Sequence, residues 1–235
     1  MAGRSGRTYP ISEEHSVATS NPYAARLAVD YPTQLDRLTT FFRPVWLIPI
    51  AIVLGLIAGA GQTVTRTIFL DNAGQVIRIT RDTAGGLISG LAVATALMIV
   101  FRQRYPRWWF DFSRELARFG ARVTAYVTLL TDRYPSTVDE QSVHLDIDYP
   151  KAETDLNRWL PLVKWLLAIP HYIALFFLGI AAAFAVFGAW CAILVTGQYP
   201  RAIFDFVVGV GRWWWRVAAY AFLLVTDEYP PFSLS

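Results

Sequence analysis

The sequence predicts an all-α membrane protein of two tandem helical-hairpin repeats, four transmembrane helices in all. Each pair is followed by an amphipathic interfacial helix, and short β segments complete each half. Three features predict this: apolar runs of membrane length, nine tryptophans in a 235-residue chain of positive mean hydropathy, and an internal duplication. Each half opens with Asp-Tyr-Pro (Asp30-Tyr31-Pro32; Asp148-Tyr149-Pro150). Each resumes with Tyr-Pro-Arg, followed two residues later by Phe-Asp-Phe, and closes with Thr-Asp-x-Tyr-Pro.

Residues 1–26 carry scattered prolines, hydroxyls and charges without an apolar core and read as a disordered cytoplasmic tail. Repeat 1 covers 27–135. The run from Pro44 to Gly61 predicts a first span at about 44–61, and Gly85 to Phe101 a second at about 85–101, against a hydrocarbon core of about 30 Å. Between them, two β-branched patches flank Asp71-Asn72-Ala73-Gly74, which predicts an extramembrane hairpin. Residues 136–144 form a linker and 145–235 the second repeat. There the apolar run from Trp159 to Thr196 is about 55 Å long as one helix and is expected to fold back near the Gly179 to Gly188 stretch, giving spans at about 159–178 and 181–197.

The positive-inside rule places both termini in the cytoplasm of a multi-pass cell-membrane protein. Three arginines (Arg66, Arg78, Arg81) lie in the 62–83 loop, whereas Arg37, Arg43, Arg102, Arg104, Arg107, Arg158, Lys164 and Arg201 crowd the other ends of the spans. Lys164, aligned with Arg43, is expected to snorkel to headgroups.

Tyr-Pro then introduces an interfacial helix in each half, at about 106–131 and 200–225. Trp109, Phe112, Leu116, Phe119, Val123, Tyr126 and Leu130 recur at helical spacing, matched by Ile203, Phe206, Val210, Trp213, Val217, Tyr220 and Leu224. Asp111, Arg118 and Arg122 recur as Asp205, Arg212 and Arg216 in one sector of each helix. These six are the candidate binding residues for a lipid phosphate or a partner's acidic segment. A spanning 202–225 would instead carry Arg212 and Arg216 near mid-bilayer, at about 2.5–3.5 kcal/mol each. The segments before each Asp-Tyr-Pro alternate in polarity and read as short strands that pair across the pseudo-two-fold axis.

His171, behind Pro170 in an apolar helix, is the remaining candidate. It is either a neutral imidazole satisfied locally or a group on a substrate path. Seven of the eleven tyrosines precede proline and read as boundary markers. The Gly55-x-x-x-Gly59 and Gly86-x-x-x-Gly90 pairs suit helix packing. Cys191 stands alone, so an intramolecular disulfide is excluded. No motif for a catalytic, metal or cofactor site occurs. The net charge of +3 favours anionic headgroups over nucleic acid.

These landmarks, with Leu-x-Arg (Leu35 to Arg37; Leu156 to Arg158), Ala-Ile-Pro-His and the closing segment Arg212 to Phe232, resemble a bacterial membrane-protein family known only as a domain of unknown function, number 4389, here in two tandem copies. The resemblance spans nearly everything after residue 26. It implies a membrane address and transfers no catalytic residue. The expected function is therefore a non-enzymatic scaffold or accessory subunit. Its partners are the lipid bilayer, anionic headgroups, and another membrane protein or a second copy. The alternative is a transporter or transporter accessory for a lipid or small molecule.

Overall fold

The structure, a computed structural model, describes residues 23–58, 64–69, 76–81, 86–136 and 141–235. In chain order the elements are β1 (Ala25–Val29), α1 (Arg37–Ala58), β2 (Val64–Phe69), β3 (Val76–Arg81), α2 (Leu87–Arg102), α3 (Arg107–Val127), β4 (Val143–Ile147), α4 (Pro161–Leu167), α5 (Ile169–Thr196) and α6 (Arg201–Ala221). The expected outer hairpin is the antiparallel pair β2 and β3, with Val64 opposite Arg81; its turn residues lie outside the described ones.

The duplication is built as an intertwined pair. β1 and β4 pair antiparallel with Leu27 opposite Leu145, so equivalent residues of the two halves face each other on an approximate two-fold axis. Ala25, Val143, Leu145 and Ile147 turn to the core. β4 packs on α3 and β1 on α6, so the strand of each half lies against the helix of the other. Above this ribbon and helix layer lies a layer of apolar helices. Ile50 of α1 packs on Val123 and Tyr126 of α3, while Leu175 of α5 packs with Trp213, Val217 and Tyr220 of α6.

The four expected membrane crossings are not found among the described residues. Among the described residues one helix, Ile169–Thr196, is long and apolar enough to cross a membrane; Ile88–Arg102 is apolar but shorter. The expected turn at 179–188 does not form, because nothing there breaks a helix. Gly179 and Gly188 sit inside α5, and the only glycine at positive φ among the described residues is Gly197, which caps its C-terminus at +75°. The predicted spans 159–178 and 181–197 are thus one 28-residue helix, with α4 leading into it across Ala168. In the first half, α2 has 16 residues and rises about 24 Å, less than a hydrocarbon core. The helical residues of α1 beyond Arg43, Pro44 to Ala58, rise about 22 Å. Pro44 leaves the Thr40 carbonyl without its helical donor, and the Trp190 indole N–H fills the place at 3.2 Å.

Other expectations change in detail. The last residues of the supposed tail belong to the fold: the buried Tyr23 hydroxyl donates to the carbonyls of Arg216 at 3.3 Å and Glu228 at 3.0 Å; residues 1–22 lie outside the described ones. The linker gives up Val143 and His144 to β4, and 137–140 lie outside the described residues. Of the predicted apolar stripe of α3, Val123 and Tyr126 are deeply buried and Phe112 is exposed; the rest of the buried face is made by Phe110, Ser113, Ala117, Ala121 and Ala125. Leu224 is matched by Leu129 instead of Leu130, since both adopt the left-handed region after their helices (φ 57° and 66°). Gly55 and Gly90 meet nothing within 4 Å of a notional Cβ, so neither brings helices together within the chain. Cys191 is exposed on α5.

Candidate functional site

Each landmark of the repeat performs the same structural task twice. The Tyr31 hydroxyl donates to the Tyr199 carbonyl and that of Tyr149 to the Tyr105 carbonyl, both at 2.5 Å. The Asp-Tyr-Pro of one half thereby clamps the Tyr-Pro-Arg corner of the other. The arginine of that corner covers the clamping ring: Arg201 lies 3.9 Å from the Tyr31 centroid and Arg107 5.2 Å from that of Tyr149.

The six polar residues of the amphipathic helices turn mainly toward the protein. Arg118 Nε donates to the Leu145 carbonyl at 2.9 Å, and Arg212 Nε to that of Leu27 at 3.1 Å. Both carbonyls belong to the central ribbon pair, so the two arginines pin α3 and α6 to the strands. Arg118 also contacts Asp146 at 3.4 Å and Glu115 at 2.9 Å. Arg122 donates to the Ser136 carbonyl at 2.5 Å. Arg216 is buried and donates to the carbonyls of Arg212 and Ser235; burial and the neighbouring Arg212 lower its proton affinity. Asp111 pairs with Arg114 at 3.2 Å, whereas Asp205 is exposed and makes no ion pair among the described residues.

His171 is fully buried, held in an aromatic box. Phe232 stacks on it at 4.0 Å, Tyr229 lies 4.7 Å away, and the Trp213 indole N–H donates to its Nδ1 at 3.1 Å. An accepting Nδ1 puts the proton of the neutral ring on Nε2, which finds no partner among the described residues. Pro170 occupies the start of α5 and does not bend a helix interior. An apolar cavity of about 620 Å³ between α3, α5, α6 and the ribbon is lined by the neighbouring Tyr172, and His171 is not part of its wall.

Lys164 and Arg43 do not snorkel. Arg43 is 2 % exposed and pairs with Asp132, while its second guanidinium nitrogen donates to the Tyr126 carbonyl at 2.9 Å. Lys164 is fully buried, 2.7 Å from Asp227 and 2.7 Å from the Thr226 carbonyl. Burial lowers the proton affinity of both cations, against the pull of their aspartates. The other carboxylate oxygens receive the backbone N–H of Asp36 (2.7 Å) and Asn157 (2.5 Å) just ahead of α1 and α4. The aspartate of Thr-Asp-x-Tyr-Pro is therefore the partner that sequence reasoning missed. Its signal was present: one acid and one base, each repeated once per half.

Among the described residues no three His, Cys, Asp or Glu side chains gather as a metal ion requires. Neither a curated protein nor a solved structure matches the chain. One family model matches residues 79–138 and 159–233, more than half of the sequence and one stretch in each repeat. The chain therefore belongs to the family described as Domain of unknown function (DUF4389), carried in two copies.

Proposed function

We propose that this protein is a non-enzymatic, membrane-anchored scaffold or accessory subunit. Its apolar helix layer sits in the bilayer of the cell membrane, and its ribbon and helix layer presents a polar face to lipid headgroups or to a membrane partner on the cytoplasmic side. One observation carries this reading: only 11 % of the most apolar stretch of α5 is buried, although the helix bears Phe176, Phe177, Phe184 and Phe187. A core helix of a water-soluble protein would be covered, and an apolar face of this size in water marks a membrane or protein contact. The same exposed apolar character continues on α1 through Phe41, Phe42, Val45 and Trp46, and on α4 through Leu162, Trp165 and Leu166. The surplus of basic residues beside this layer supports the cytoplasmic assignment of the polar face.

The test is extraction of membranes with alkaline carbonate, followed by vesicle flotation. The wild-type chain is expected to stay with the membrane and to float, and Phe176→Asp with Phe184→Asp to shift it toward the supernatant. Purification in mild detergent should then bring down a lipid or a protein in fixed ratio. A wild-type chain recovered monodisperse without detergent overturns the proposal.

A further inference from the structure

Where α2 ends and α3 begins, a groove of about 920 Å³ is lined by Arg102, Arg104, Arg107 and Lys151, with Glu153 the one carboxylate in its wall. Arg104 and Glu153 approach only to 4.0 Å and both are mostly solvent-exposed, so this contact neutralises little. Asp155 stands in the same loop and feels the charge of Lys151. Arg158 adds a further cation at the rim by donating to Gln103 Oε1 at 2.9 Å.

The duplication supplies an internal control. The second half builds the same corner on the same backbone: a left-handed cap (Gly197 for Gln103), the Tyr-Pro-Arg turn and the clamping tyrosine from the other half. There, Arg107 is repeated as Arg201 over its tyrosine ring. The places of Arg102, Arg104 and Lys151, however, are taken by Thr196, Gln198 and Thr33. The fold closes without these three cations, so their presence in one copy answers to something other than folding.

The surroundings say what. Phe101 (76 % exposed) stands next to Arg102 at the end of the apolar α2, and Trp108 (69 % exposed) next to Arg107 at the start of α3. Met98 carries the apolar wall of α2 into the groove itself. A net positive cleft at the end of an apolar helix, flanked by exposed aromatic rings, matches a ligand with a phosphate at one end and hydrocarbon at the other. We propose that this groove holds the headgroup phosphate of an anionic phospholipid, with Arg102, Arg104 and Lys151 as its ligands. The site rests on the membrane-anchored reading above and names the lipid class that the anchored protein selects.

The test uses the full chain in mild detergent, titrated with phosphatidylglycerol and with phosphatidylcholine. The triple variant Arg102→Thr, Arg104→Gln, Lys151→Thr, which installs the residues of the equivalent corner, is measured alongside. Each basic side chain near an anionic lipid is worth about fivefold in affinity, so the triple variant should lose on the order of a hundredfold for phosphatidylglycerol. Its binding of phosphatidylcholine and its circular dichroism should not change. Arg102→Thr alone should lose about fivefold, which keeps the test sound if the triple variant misfolds.

Flotation of both proteins with pure phosphatidylcholine vesicles is read in parallel. Proteins that do not float at all defeat the membrane reading, and the site with it. Proteins that float equally, with phosphatidylglycerol binding unchanged in the variant, defeat the groove alone. Inorganic phosphate binding as tightly as the lipid would also overturn the assignment, by showing a site for the free anion.

Discussion

Truncating Asp132 or Asp227 to alanine removes the same partner from two different buried cations, and the contrast tests the account of the paired halves. In either variant a cation loses its carboxylate, and the backbone N–H of Asp36 or Asn157 loses its acceptor. That second loss is common to both variants and cancels between them. Stranding a buried charge costs about 3–5 kcal/mol. Arg43 has no escape, because a guanidinium keeps its proton throughout the accessible pH range. Lys164 can shed its proton, and burial already lowers its affinity below the ordinary 10.5.

Neutralising a lysine costs about 1.4 kcal/mol per pH unit below its ordinary value, hence about 5 kcal/mol at pH 7 and about 2 kcal/mol at pH 9. At pH 7 the two variants should therefore lose similar stability, about 3–5 kcal/mol each. By about pH 9 the loss in Asp227→Ala should shrink to about 2 kcal/mol, while that in Asp132→Ala stays. The sign follows from linkage: between the depressed folded value and 10.5 the unfolded chain binds the extra proton, so raising the pH favours folding. Urea unfolding in mild detergent, followed by tryptophan fluorescence at both pH values, measures this. Equal losses that persist to alkaline pH would refute the reasoning, as would an Asp132→Ala loss below about 1 kcal/mol.

Three further outcomes are expected. Arg118→Ala and Arg212→Ala each remove a charged donor from a central ribbon carbonyl, at about 1.5–3 kcal/mol; hydrogen exchange in β1 and β4 should accelerate, and unchanged protection in the double variant would count against the pinning role. Trp213→Phe leaves His171 Nδ1 unpaired at about 1–3 kcal/mol, whereas adding His171→Ile recreates the Phe119 and Ile50 pair of the first half and should recover most of the loss; a double variant no more stable than Trp213→Phe argues against the aromatic box. Burial raises Tyr105 from 10.0 to about 12, and Tyr23 and Tyr199 further still. The stability tied to these phenols is present below pH 10.0 and is lost as pH rises through their folded values. Phenolate absorbance should therefore show a late wave that coincides with unfolding, and a single wave near the ordinary value with the fold intact would contradict their burial.

Much of the candidate site was legible because it is duplicated. The twin Asp-Tyr-Pro strands, the Tyr-Pro-Arg helix starts and the paired arginines stand out at matched positions, and local alternation marked β1 and β4 as strands. What local pattern could not show was the direction of each polar side chain. Arg43 and Lys164 look like headgroup-seeking residues on an apolar helix, and only the return of Thr-Asp-x-Tyr-Pro from more than 60 residues away makes them buried ion pairs. Arg118 and Arg212 likewise look free until the strand from the other half lies beneath them.

The order of residues alone established the duplication, the apolar character of the helices and the family, since each of these is a one-dimensional pattern. Whether an apolar run turns back or continues is a different matter. Hydropathy is the same for a hairpin and for one long helix; α5 runs on through Gly179 and Gly188, neither of which leaves the helical conformation. Which arginine meets a carbonyl, which cation meets an aspartate and which groove keeps its charge open to solvent were decided only when the two halves exchanged strands and closed on each other.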